Sequence, residues 1–331
     1  MPLASRTEVT YVSYFKATCL MRNSKEQTVL KEILRTSEER FINLSDFPYP
    51  PNYLDDLAGY EGLRCHYLDL GPSDASQTFL CVHGQPTWGF LFRRMIPVFL
   101  ESGARVIVPD LFGFGRSDKP TDQAVYTFDF HRNMLLAFLA RLELTNLTLV
   151  GQDWGGILGL TLPMELPLRF SRLLLMNTVL GTGDKPLGDG FLAWRQWCRD
   201  NPDMSAGRLL GRACPHLSDA EKAAYDAPFP DATYKAGARA FPELVPEHPT
   251  APGAEISRQA RDWLSQQWTG KTFMAIGMTD PVIPPRAMMG LQKTIRGCPD
   301  PFEVKDGGHF LQEWGKSVAQ AAVNQWSPSG D

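Results

Sequence analysis

An aspartate sits at the centre of LTLVGQDWGG, where the apolar run 147–150 meets a helical pattern. Its frame, Gly151-x-Asp153-x-Gly155, suits a sharp strand-to-helix turn, because two glycines let the backbone pass closely. The N–H groups that open the helix then point at the central side chain and favour an anion there. A serine at such a point attacks acyl carbon. A carboxylate can instead displace a leaving group from an sp³ carbon, and the product of that step is an ester on the protein. The plainer reading of Asp153 is a helix N-cap. It weakens if partners for such chemistry follow in the right order.

Two partners follow. Asp306-Gly307-Gly308-His309-Phe310 comes just after the strand-like PFEV, and its glycines suit a loop that delivers an imidazole to the turn. A surface loop histidine is the competing role, but nucleophile first and histidine last is a recurrent chain order for this kind of turn. The histidine needs a carboxylate to orient it. The strand after the turn ends in Met176-Asn177, which has no acid, whereas KTFMAIGM ends in Thr279-Asp280-Pro281. Asp280 is therefore the expected orienting acid, a role compatible with an Asp-Pro turn start. His83 reads as a structural turn residue, and His66, His131, His216 and His248 read as structural or exposed.

The elements that must position these residues alternate along the chain. GLRCHYLDL, TFLCVHG, ARVIVPD, LTLVG, SRLLLMN, KTFMAIGM and PFEVKD read as strands, and several are apolar enough to be buried on both faces. TFDFHRNMLLAFLARLEL has helical periodicity, and the helix from Gly155 should kink or end at Pro163. The alternation predicts an α/β fold, a mostly parallel sheet with helices on both faces. The interval 179–269 breaks it: GFLAWRQWCRD, SAGRLLGRA, DAEKAAYDA, ATYKAGARA and ISRQARDWLSQQW are helical patterns with no convincing strand between them. This interval is expected to form a helical cap over the carboxyl edge of the sheet, on a core of 41–178 and 270–331. Residues 1–40 are expected to be an appendage, partly disordered and partly helical in KEQTVLKEIL.

Composition narrows the function. At 331 residues, 43% hydrophobic and 21% charged, the chain can build a large globular core. A net charge of -4 without long basic runs points away from nucleic acid and anionic membranes. No stretch is apolar for the length of a membrane span. The first residues make a poor signal peptide. The six cysteines (Cys19, Cys65, Cys81, Cys198, Cys214 and Cys298) are scattered, which suits reduced thiols in a cytoplasmic protein better than disulfides or zinc.

HGQPTWGFLFRRM, PDLFGFGRSDKP, GQDWGG, AYDAPFPDATYKAGARAFP and DGGHFLQEWG together resemble the haloalkane dehalogenases, from about residue 41 to the end. More narrowly, they are similar to the subfamily whose catalytic acid follows the late strand. The resemblance implies an α/β-hydrolase core with a helical cap and hydrolysis of small haloalkanes to alcohol, halide and proton. No metal or organic cofactor is implied, and the partners are the haloalkane, water and the halide. It implies an oxyanion hole from the backbone N–H groups of Gln85 and Trp154. It gives halide-binding roles to Trp154 and Trp194, with Trp197 the nearest rival to Trp194. It also implies an apolar pocket lined by Phe191, Phe241, Pro242, Val245, Val282 and Ile283. Gln85 departs from the pattern, since relatives often carry Glu there. Two other functions compete. An epoxide hydrolase shares the fold and the Asp nucleophile but needs acidic donors, for which the cap offers Tyr225 and Tyr234. A non-catalytic binding protein has no reason to keep the full Asp, His and acid set.

Overall fold

The computed structural model describes residues 32–327. The strands are β1 (Ile33–Leu34), β2 (Asn52–Leu54), β3 (Cys65–Leu70), β4 (Thr78–Val82), β5 (Arg105–Pro109), β6 (Lys119–Pro120), β7 (Leu147–Gln152), β8 (Phe170–Met176), β9 (Lys271–Gly277) and β10 (Phe302–Val304). Each of the seven strand-like runs in the sequence overlaps one of them. Eight strands form the main sheet in the order β10-β9-β8-β7-β4-β5-β3-β2. From β10 to β5 every pair is parallel, and β3 and β2 pair antiparallel at the edge. Every residue of β4 and β7 is buried, so both faces of the sheet centre are covered. That explains their near-continuous apolar composition. The chain leaves β4 toward β5 and later returns to place β7 on the other side of β4. The carboxyl ends of β4 and β7 therefore meet at a topological switch point, where open α/β sheets bind ligands.

The helices are α1 (Ile96–Glu101), α2 (Phe128–Arg141), α3 (Trp154–Gly159), α4 (Asp189–Asp200), α5 (Ala206–Ala213), α6 (Asp219–Asp226), α7 (Ala236–Ala240), α8 (Ala254–Gln266), α9 (Pro285–Thr294) and α10 (Gly315–Trp326). Helix α3 ends before Pro163. Between β8 and β9 the described chain is helical, from α4 to α8, with no strand. Local sequence starts these helices: Ser205 Oγ accepts from Arg208 N at α5, and Ser218 and Glu221 form a capping box at α6.

A buried ion cluster ties this insertion to the body. Arg93 bonds Glu313 (2.7 and 2.8 Å) and Glu221 of α6 (2.8 Å). The Tyr225 hydroxyl donates to Glu313. Arg93, Glu221 and Glu313 are all nearly excluded from solvent. Burial alone disfavours the Glu221 carboxylate, but Arg93 and the Ser218 donors outweigh that and hold it down to about 2.

Three strands, β1, β2 and β6, were not expected. The helix expected over 25–34 lies mostly outside the described residues. Its last residues form β1, antiparallel to β6, with Ile33 opposite Pro120. Beside it, Arg35 makes a bidentate pair with buried Asp118 at 2.7 and 2.8 Å. Residues 32–40 are thus anchored to the body. The rest of the expected appendage lies outside the described residues.

Candidate active site

Asp153 follows β7 with φ 50° and ψ -126°, a strained conformation for a residue with a Cβ. The strain is held by bonds on both sides: Asp153 N donates to Asn177 O (3.0 Å), and Thr178 Oγ1 donates to Asp153 O (2.8 Å). The turn is tight enough that a Cβ on Gly155 would lie 1.8 Å from Val82 O, and one on Gly84 would lie 2.3 Å from Asp153 Oδ2. Glycine is required at both positions. The register of β4 against β7, Val82 opposite Gly151, brings Gln85 beside the aspartate. Gln85 N donates to Asp153 Oδ2 at 2.9 Å. Its side chain turns away and donates to Ala238 O of the insertion at 2.9 Å.

Asp280 follows β9 and His309 follows β10, so both arrive at the same carboxyl edge. His309 Nδ1 lies 2.8 Å from Asp280 Oδ2, and His309 Nε2 lies 3.8 Å from Asp153 Oδ1. The other Asp280 oxygen accepts from Val282 N (2.7 Å) and Ile283 N (3.0 Å). Asn177 Nδ2 donates to Asp280 Oδ2 at 2.7 Å, while its own Oδ1 accepts from Gly277 N at 2.8 Å. The strand end without an acid therefore carries the amide that clamps the acid of its neighbour, a role the sequence reading missed. Gln152 was missed as well. Its amide nitrogen donates to His309 O (3.0 Å) and lies 3.2 Å from His309 Nε2.

Burial raises Asp153, and His309 with the Gln85 and Trp154 N–H groups only partly offsets it. Burial also penalises the Asp280 carboxylate, but His309, Ile283 N–H and Asn177 outweigh it and bring the group below its usual value. Burial alone disfavours the His309 imidazolium, yet Asp280 and Asp153 raise it to about 9. Removing the Asp153 charge would withdraw one of those two supports.

A cavity of about 520 Å³ opens above Asp153, Trp154 and His309. Phe191, Trp194, Trp197, Pro242 and Val282 line it, as do Leu209, Arg212 and Ala213 of α5. Phe241, Val245 and Ile283 are not among its lining residues. Phe241 is buried one layer below, its ring 4.9 Å from the Trp154 ring, and Ile283 contributes its N–H to Asp280. Trp194 and Trp197 stack at 5.3 Å, and both reach the cavity. Neither Tyr225 nor Tyr234 lines it, and the Tyr225 hydroxyl is committed to the ion cluster. The cavity thus lacks the tyrosine donors an epoxide would need. His83 is structural as expected: its Nε2 accepts from Leu111 N at 3.0 Å, and its Nδ1 lies 2.9 Å from Gly84 O.

Residues 77–316 match the family model described as alpha/beta hydrolase fold. A haloalkane dehalogenase of Psychrobacter cryohalolentis is 44% identical over 88% of this chain and 97% of its own length. One of Mycolicibacterium paratuberculosis is 42% identical over 85% of this chain and 93% of its own. A solved haloalkane dehalogenase from Paraglaciecola agarilytica superposes with a TM-score of 0.88 at 46% identity, covering 89% of this chain and 99% of that one. A carboxylate on a strained turn under the cavity, an imidazole beside it and these relatives lead to one conclusion: the chain belongs to the haloalkane dehalogenases of the α/β-hydrolase superfamily, hydrolases that convert haloalkanes to alcohol, halide and proton.

Proposed function

We propose that Asp153 is the nucleophile, His309 the base and Asp280 the acid that orients it, which places the chain in the subfamily with its acid after the late strand. The observation that carries this is the Asp153 carboxylate, bonded on one side by Gln85 N–H and faced on the other by His309 Nε2 at 3.8 Å. In the first step an Asp153 oxygen attacks the halogen-bearing carbon, the carbon–halogen bond breaks and the halide leaves with its electron pair. The resulting alkyl ester removes the Asp153 charge, which lowers the proton affinity of His309. The neutral imidazole then takes a proton from water, and the hydroxide attacks the ester carbon. The oxyanion is met by the N–H groups of Gln85 and Trp154, and its collapse releases the alcohol.

The indole N–H groups of Trp154 and Trp194 are donors that cannot act as bases, which suits them to hold the departing halide. The apolar wall formed by Phe191, Pro242 and Val282 favours small uncharged haloalkanes over carboxylates. In this reading residues 179–269 are the cap and 41–178 with 270–331 the core. The cysteines described (Cys65, Cys81, Cys198, Cys214 and Cys298) are free, which supports a cytoplasmic location. No helix among the described residues is long and apolar enough to cross a membrane.

Halide release from a panel of bromoalkanes, with epoxides in parallel, tests the assignment. The wild type should release bromide and leave epoxides unopened, and Asp153→Ala should release none. Turnover by the alanine variant would remove Asp153 from the mechanism.

A further inference from the structure

A second, smaller cavity of about 270 Å³ lies beside the first. The two share Trp197, Leu209 and Arg212 as wall residues, so these three stand between the active-site cavity and the second pocket. The outer pocket also holds Arg208, one helical turn before Arg212 on α5. Residues four apart share a helix face. Both side chains are exposed, and neither guanidinium has a hydrogen-bond or ion-pair partner among the described residues. The one carboxylate lining this pocket, Asp203, is already taken by Lys235. The outer pocket is therefore a net cationic surface that shares a wall with the active-site cavity.

We propose that Arg208 and Arg212 make this outer pocket a transient anion site, through which the halide enters and leaves the active-site cavity past Trp197 and Leu209. This rests on the reading that the halide is released inside that cavity. A halide passing the Trp197 and Leu209 side chains gives up hydration, and the Arg212 guanidinium in the same wall compensates for part of that loss. A neutral haloalkane feels no such attraction, so the charge acts on the ionic product alone. Because both arginines are exposed, the effect is screened within about 8 Å at physiological salt and is strongest at low ionic strength.

The test is the rate of bromide association, followed by tryptophan fluorescence in a stopped-flow instrument at low and high salt. Arg212→Gln, Arg212→Lys and the double variant Arg208→Gln/Arg212→Gln are compared with the wild type. At low salt the double variant should associate roughly tenfold more slowly, Arg212→Lys should keep most of the rate, and added salt should close the gap. Equal rates in all variants would overturn the proposal, as would a loss shared equally by Arg212→Lys and Arg212→Gln. Failure of the underlying reading has its own signature: saturable bromide quenching would then survive unchanged in Trp194→Leu/Trp154→Phe, whatever the arginine variants do.

Discussion

Replacing Asp280 by Asn keeps the shape of the orienting acid and inverts half of its hydrogen bonding. One oxygen now accepts from Val282 N and Ile283 N, and the other accepts from Asn177 and faces His309 Nδ1. An amide has one oxygen for these two places. If the oxygen stays with the backbone donors, the NH₂ faces Nδ1, and the imidazole must carry its proton on Nε2, where it cannot act as a base. If it faces His309, the NH₂ meets two buried N–H groups. The first arrangement leaves fewer donors unmet, by about one, worth about 1–3 kcal/mol. That favours the unproductive tautomer roughly 5- to 160-fold. The carboxylate charge that supports His309 is lost as well, so hydrolysis should slow by about 10²–10⁴, the upper end matching the same substitution in a serine-protease triad. Alkylation of Asp153 transfers no proton and should keep its rate. Rapid-quench halide release should then show a full burst followed by a very slow steady state. A steady state within a few-fold of wild type, or loss of the burst itself, would mean that Asp280 does not orient His309 for the second step.

Other outcomes follow from the same geometry. Trp194→Leu should weaken halide binding and slow carbon–halogen cleavage by about 10²–10³, and the same loss in Trp197→Leu but not in Trp194→Leu would shift the halide seat one turn along α4. Arg93→Met leaves buried Glu221 and Glu313 with Arg94 alone as their cation and should cost about 1–3 kcal/mol in chemical denaturation; an unchanged stability would deny Arg93 its role in fixing the insertion. His309 rises from 6.5 to about 9, so its contribution to stability is full below 6.5 and is lost as pH climbs through 9. The pH profile of Tm should therefore lose its decline across that window in His309→Gln.

The parts of the site that local chemistry enforces could be read directly. Asp153 is marked by Gly151 and Gly155, and the structure gives the reason: backbone atoms crowd the place where a Cβ would go at both. Asp280 and His309 stand at strand ends whose composition identified the strands. Asn177 and Gln152 were not marked, because an amide that orients another side chain leaves no local pattern; only the parallel pairing of β8 with β9 puts Asn177 beside Asp280. The wall from α5 was missed for a related reason. Leu209 and Ala213 read as ordinary core, and only the docked insertion shows which face of the helix turns toward the cavity. Phe241, Val245 and Ile283 were placed in the pocket by resemblance, but the described cavity stops short of them. The strand β2 is three residues long and follows Pro50-Pro51, too short and too close to prolines for a period-2 signal.

In the proposed mechanism His309 acts only after Asp153 has been alkylated. Reaction of His309→Phe with 1,2-dibromoethane, followed by mass spectrometry of the intact protein, tests it most directly. About one bromide should be released per enzyme molecule before arrest, with the added alkyl mass mapping to the LTLVGQDWGG segment. Continued multiple turnover would mean that another base serves or that water attacks the substrate directly. A folded, halide-binding variant that forms no adduct would give His309 a part in the first step and contradict the mechanism.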